Sequence, residues 1–280
     1  MKPKVAVITG ASTGLGFSLA LQMASQGITT YATMRDFNKK RLLESFARRK
    51  KLDINITPLD VANPGDVSTC IEGIIAEEGR LDYLINNAGV GYFGALEFLT
   101  EDEFDKVFSV NVKGAFFCTQ AVLPQMRQQK SGRIVNISSV CGLVGMPFQE
   151  LYSASKFAIE GFTEALASYL QPEFNIHFTL VEAGQMSTEF GHNAIKNSTL
   201  TKVKEYKEIL KKIQRRSKID KFAHDSVQSA DLVAEQVMLC LLQERPPLRF
   251  RTSDWAEQMC KFKTQADPDG KQQYKALCVE

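Results

Sequence analysis

Long apolar runs, clustered metal ligands and a one-sided charge are all missing from these 280 residues, and each absence excludes a class of function. No stretch approaches the eighteen apolar residues of a membrane span. Met1-Lys2-Pro3-Lys4 is followed by only four strongly apolar residues before a glycine turn, too few for a signal peptide, so a cytoplasmic protein is expected. Cysteines 70, 118, 141, 240, 260 and 278 show no C-x-x-C or zinc spacing, which suits reduced thiols without assigned chemistry. His177, His192 and His224 also lack ligand spacing, and no metal is expected. Net charge is only +2, although residues 202–221 hold nine Lys or Arg against three acids. Val203, Tyr206, Ile209, Leu210 and Ile213 recur there at helical spacing, so the basic residues read as the solvated side of an amphipathic helix. With no aromatic platform or reading motif beside them, no nucleic-acid partner is expected.

What is present is a chain with 44% hydrophobic residues, enough for one large core. Strand-like runs near 4–8, 28–33, 54–59, 82–86, 132–138, 175–181 and 247–251 alternate with helix-like stretches. That alternation predicts an α/β fold of βαβ units, with a seven-stranded, mostly parallel sheet and helices on both faces. No repeat, low-complexity tract or linker interrupts it, so residues 1–280 are expected to form a single doubly wound domain.

Three segments carry chemistry. Lys4-Val5-Ala6-Val7-Ile8 runs into Thr9-Gly10-Ala11-Ser12-Thr13-Gly14-Leu15-Gly16 before a helical pattern. A strand, a glycine turn and a helix N-terminus make a phosphate cradle, because backbone amides and the helix dipole favour an anion and glycine leaves room for it. The spacing is Gly-x3-Gly-x-Gly, which an ordinary βα loop could also show. Arg133-Ile134-Val135-Asn136-Ile137-Ser138-Ser139 reads as a buried strand ending in hydroxyls, and strand carboxyl ends line the ligand crevice of an open parallel sheet. Tyr152 and Lys156 lie one helical turn apart, where the ammonium is expected to draw the phenol towards usable acid or base strength. Alone, such a pair is more often a surface contact.

Together with Asn86-Asn87-Ala88-Gly89 and Asn111, these segments resemble the short-chain dehydrogenase/reductase family over residues 3–250. Within it, Tyr31-Ala32-Thr33-Met34-Arg35-Asp36, Val181-Glu182-Ala183-Gly184 and Asp267-Pro268-Asp269-Gly270 resemble the branch of estradiol-type steroid dehydrogenases and photoreceptor retinol dehydrogenases. The resemblance implies a Rossmann domain and hydride transfer between a nicotinamide and a carbonyl or secondary alcohol, in an apolar small molecule of steroid, retinoid or lipid kind. It implies that Tyr152 moves the proton, Lys156 lowers the tyrosine's pKa and binds the nicotinamide ribose, Ser139 orients the substrate oxygen, and Asn111 helps retain a water behind Lys156. A regulatory nucleotide sensor of the same fold, with little turnover, is the alternative.

The implied cofactor contacts are Gly10, Ser12, Thr13, Gly14, Leu15 and Gly16 in the turn, Asp60 and Val61 beside the adenine, Asn87, Ala88 and Gly89, then Tyr152, Lys156, Gly184, Met186 and Thr188. Met34 stands where NAD-selective relatives carry an acid, and Arg35 follows, so NADP is favoured over NAD despite Asp36. Ala183 replaces the proline usual before Gly184, which predicts looser nicotinamide placement. Residues 189–225 are expected to form a helical substrate lid and residues 252–280 a C-terminal extension. Ala154, Ala158, Gly161 and Ala165 form a smooth helical stripe. The stripe could pack on the chain's own sheet, but the resemblance implies pairing of this helix and the one near 115–129 in a homodimer or homotetramer.

Overall fold

The seven apolar runs become seven strands of one sheet: β1 (Val5–Ile8), β2 (Thr29–Met34), β3 (Asn55–Pro58), β4 (Tyr83–Asn86), β5 (Gly132–Ile137), β6 (Ile176–Glu182) and β7 (Arg249–Arg251). In the computed structural model, which describes residues 2–195, 203–219 and 227–265, their order is β3-β2-β1-β4-β5-β6-β7. Every pairing is parallel. Val-Ala-Val-Ile in β1 is buried throughout, as a strand covered on both faces by crossover helices must be. Strand order reverses between β1 and β4, so the chain diverges there and opens a crevice at the strand carboxyl ends.

Helices fill both faces: α1 (Gly14–Ser25), α2 (Lys40–Lys50), α3 (Pro64–Glu78), α4 (Glu101–Phe108), α5 (Gly114–Gln129), α6 (Glu150–Phe174), α7 (Glu189–Ile195), α8 (Lys204–Ile219), α9 (Ala230–Leu241) and α10 (Asp254–Thr264). Local chemistry explains several ends. Asn63 accepts from the amides of Gly65 and Asp66 ahead of Pro64, and Gly79, at φ 71°, closes the same helix in the left-handed region. Thr100 and Glu103 form a reciprocal capping box on α4. One core joins α1, α2 and α9 to one face of the sheet through Leu19, Leu43 and Val237. The other joins α3, α5 and α6 to the opposite face through Ile71, Val122 and Leu170.

The expected lid and extension are only partly described. Helices α7 and α8 fall within 189–225, and α8 buries Tyr206, Leu210 and Ile213 against Phe93, Phe98 and Phe148 while Lys204, Lys207, Lys211 and Lys212 face solvent. This is the amphipathic division read from the periodicity. The extension is less of an appendage than expected, because Trp255, Ala256 and Cys260 of α10 pack into one cluster with Val140, Cys141 and Tyr152. Residues 196–202, 220–226 and 266–280, including His224 and Cys278, lie outside the described residues. Among the described residues, no helix is long and apolar enough to cross a membrane.

Candidate active site

The glycine turn is shaped by contacts with the end of β4. Gly10 has φ 68°, and a Cβ there would lie 2.8 Å from Ala88 Cα. Gly14, also in the left-handed region, lies against Thr188, whose Cγ2 would be 3.5 Å from an added Cβ. At Gly16 a Cβ would meet Asn87 Nδ2 and the Gly10 carbonyl oxygen at 2.7 Å. Gly10 therefore needs glycine for packing and for its left-handed backbone, Gly14 for its backbone and Gly16 for packing. Thr13 precedes α1 in an extended conformation without capping it by its side chain, so the first-turn amides keep the unsatisfied donors that suit a phosphate.

Some expected cofactor residues hold the cradle together. Asn87 Nδ2 donates to the carbonyls of Thr9 (2.9 Å) and Gly10 (3.1 Å). Thr9 Oγ1 accepts from the amides of Asn87 and Ala88, both at 3.0 Å. Thr9, in the quoted motif but assigned no role, thus ties β1 to β4. Leu15 and Val61 are buried in the two cores, which leaves only their backbones for a ligand. Asp60 Oδ1 accepts from the Ala62 amide at 3.0 Å. At the end of β2, Met34 is buried, Arg35 is exposed, and Asp36 caps the following turn by accepting from Asn38 N at 3.2 Å.

Ser139 follows β5, accepts from the Cys141 amide at 3.2 Å, donates to the Ala183 carbonyl at 3.5 Å and stands close enough to Tyr152 to favour its charged form. Tyr152 is buried, and Phe190 of α7 covers it with ring centroids 5.5 Å apart. Gly91 lets α7 approach, since a Cβ there would lie 2.7 Å from Ala194 Cβ and 3.1 Å from Phe190. Tyr92, Leu143, Met146 and Met259 pack around the same cluster. Apolar side chains thus surround one phenol and one hydroxyl.

The electrostatics correct one expectation. Lys156 does not draw the Tyr152 phenol down; its ammonium lies 5.6 Å from the tyrosine ring centre and donates to the Ile137 carbonyl at 2.7 Å. Burial dominates both groups. It pushes the phenol above its ordinary range, with Cys141 acting in the same sense and the Ser139 hydroxyl opposing. It lowers Lys156 to about 8, with Cys141 and Glu160 opposing.

Asn111 and the loop after β6 each have defined partners. Asn111 sits in a π-helical turn, Ser109–Lys113, between α4 and α5. Its Oδ1 accepts from Val90 N at 2.8 Å, and its Nδ2 donates to Val90 O and Ser155 Oγ, both at 3.0 Å. It therefore ties the β4 loop to α6. A Cβ on Gly89 would stand 3.5 Å from Asn111 Oδ1 and 3.9 Å from Lys156 Nζ, so these groups share one side of that backbone. The loop at 183–188 is not loose despite its missing proline. The Ala183 amide, which proline would lack, donates to Val181 O at 2.9 Å. The Gly184 amide donates to Thr252 Oγ1 at 3.2 Å, and Gln185 and Ser187 pair with the Gln228 backbone, with Met186 bridged to Gln228.

A family model described as short chain dehydrogenase matches residues 4–199. A 3-ketodihydrosphingosine reductase of Bacteroides thetaiotaomicron is 42% identical over 193 residues, 69% of this chain and 68% of that protein. Retinol dehydrogenase 8 of Bos taurus is 36% identical across 96% of this chain and 87% of its own length. Human 17-beta-hydroxysteroid dehydrogenase type 1 is 34% identical across 91% and 79%. Among solved structures, a metagenomic short-chain oxidoreductase in complex with NADP superposes with a TM-score of 0.70 at 26% identity, covering 89% of this chain and 97% of that one.

Proposed function

Because this chain belongs to the short-chain dehydrogenase family, we propose that Ser139, Tyr152 and Lys156 carry out its oxidoreduction, with NADP as preferred cofactor and an apolar ketone, aldehyde or alcohol as substrate. The relatives named for retinol, a hydroxysteroid and 3-ketodihydrosphingosine all handle an oxygen on a largely apolar skeleton. The pocket of Tyr92, Leu143, Met146, Phe190 and Met259 suits such a skeleton. Helices α7 and α8 act as its lid. Exposed Arg35 stands at the end of β2 while Asp36 is occupied in its own turn, an arrangement that favours a 2′-phosphate over a bare hydroxyl.

A nicotinamide dinucleotide bound along the crevice supplies or receives the hydride. The chain's own residues do the rest. The Gly10–Gly16 turn and the first turn of α1 hold the pyrophosphate, while Gly184, Met186 and Thr188 border the nicotinamide end. Ser139 donates to the substrate oxygen and directs it at Tyr152. Tyr152, kept protonated by its buried setting, gives its proton to that oxygen in reduction and takes one back in oxidation. Lys156 contributes a positive charge that steadies the transient phenolate and binds a ribose hydroxyl. Asn111 is a positioning residue that keeps Val90 and α6 in register.

The closeness of Ser139 to Tyr152 beneath Phe190 carries this reading. Tyr152→Phe tests it in an assay of NADPH loss with retinal, estrone, a 3-keto sphingoid base and cyclopentanone. Turnover should fall by roughly 10²–10⁴, with NADPH affinity by fluorescence nearly unchanged. Turnover close to the parent protein's would refute the assignment.

The enzyme is further proposed to form a homodimer or homotetramer through α5 and α6. Ala154, Gly161 and Ala165 face solvent, with Ala158 half-buried, so the smooth stripe is turned away from the chain's own sheet. Phe116, Phe157 and Tyr169 stand exposed on the same two helices.

A further inference from the structure

Outside the reacting groups, buried charge gathers around Glu160. This residue stands on α6 four positions beyond Lys156, so the two side chains leave the same side of the helix one turn apart. It is 5% exposed. Its Oε1 accepts from Ser138 Oγ at 2.5 Å, and its Oε2 lies 3.6 Å from Arg249 Nε. Arg249 also meets Glu182 Oε1 at 3.0 Å and pairs with Glu164, while Arg251 meets Glu182 Oε2 at 2.6 Å and Glu257 Oε1 at 2.7 Å. Gly142 leaves room for the first contact, because a Cβ there would lie 2.7 Å from Ser138 Oγ and 2.9 Å from Glu160 Oε1.

Burying a carboxylate is costly unless hydrogen bonds and opposite charge compensate it. Arginine alone could serve Glu182 and Glu164 on this side of the sheet, yet Glu160 turns to Ser138, the direct chain neighbour of Ser139. We propose that Glu160 is a positioning residue that keeps Lys156 in its ammonium form and, through Ser138, fixes the strand end that carries Ser139. The inference rests on the role given to Lys156 above.

The groups facing Glu160 are Ser138 beyond β5, Lys156 and Glu164 on α6, Glu182 on β6, Arg249 and Arg251 on β7, and Cys260 on α10. Those facing Lys156 are Tyr152, Cys141 and Glu160. Burial pushes Glu160 up, while Ser138, Arg249, Lys156 and Arg251 favour its charge. The Ser138 hydroxyl and the Arg249 guanidinium favour the Glu160 charge against burial, and that charge opposes the loss of the lysine proton.

NADPH affinity, read by fluorescence between about pH 6 and about pH 10, is a test independent of the substrate. Affinity should weaken as Lys156 loses its proton. Glu160→Gln keeps the shape but removes the charge, so the weakening should begin about one pH unit lower, and Glu160→Asp should recover part of the shift. If Glu160→Gln does not fold, Ser138→Ala keeps the carboxylate but removes the hydroxyl that favours its charge, and should shift the onset in the same direction. An onset identical to the parent protein's, in folded Glu160→Gln or otherwise in Ser138→Ala, overturns the role of Glu160. Lys156→Ala separates the two levels. If it keeps the alkaline weakening, the reading of Lys156 itself fails; if it removes the weakening while Glu160→Gln leaves it in place, only the Glu160 inference fails.

Discussion

Replacing Lys156 with Met should abolish turnover and make the protein more stable. The lysine is 6% exposed, and burial lowers it from 10.5 to about 8. Each pH unit of displacement corresponds to about 1.4 kcal/mol, so charging this amine in the folded protein costs about 3 kcal/mol at neutral pH. Met fills a similar volume without the charge. It also forfeits the donor to the Ile137 carbonyl, worth about 1 kcal/mol, which leaves a net gain of about 2 kcal/mol. The pH dependence has a definite sign. Below about 8 the lysine is charged in both the folded and unfolded chains, and the full penalty applies. Between there and about 10.4 the unfolded chain binds more protons, so the parent protein gains stability as pH rises and the penalty fades. Urea unfolding at pH 7 and pH 10 should therefore show Lys156→Met ahead at the lower pH, with the gap narrowing by roughly 2 kcal/mol at the higher one. A variant less stable than its parent at pH 7, or a gap that ignores pH, would refute the reasoning.

Arg35→Ala should weaken NADPH binding by roughly tenfold to a hundredfold, the worth of one charge-assisted hydrogen bond, while hardly altering NADH; equal losses in fluorescence titrations would make Arg35 structural. Gly10→Ala combines a left-handed φ of 68° with a Cβ 2.8 Å from Ala88 Cα. It should cost at least about 1–3 kcal/mol in thermal or urea unfolding and weaken NADPH binding with it; unchanged affinity would detach the turn from the cofactor. Ala158→Glu should convert a dimer or tetramer into a 31.3 kDa monomer by light scattering at micromolar concentration, and a parent protein already monomeric would dismiss the helix-paired interface.

What the sequence by itself determined is what depends on local chain geometry. Strand-like runs stand out from the helical periodicity around them, and all seven appear as strands within a residue or two of their expected places. A glycine turn between strand and helix leaves the first-turn amides open, and Tyr152 and Lys156 share a helix face because the helix repeat is fixed. The periodicity of α8 likewise foretold which side would bury Tyr206 and Leu210. The tertiary structure decided whatever depends on which distant segments meet. The spacing of Tyr152 and Lys156 says nothing of the Ile137 carbonyl that takes the ammonium, nor of the burial that governs both groups. The order of Asn87 and Asn111 along the chain does not say that their partners are Thr9, Gly10, Val90 and Ser155. Ala183 loses a proline's restraint but gains a hydrogen bond within a loop pinned by Gln228 and Thr252. Glu160 lies one turn from Lys156 in plain view, but its meaning depends on Ser138, Gly142 and Arg249. Desolvation and pairing are properties of the assembled neighbourhood, and no window of sequence contains that neighbourhood until the sheet brings its strand ends together.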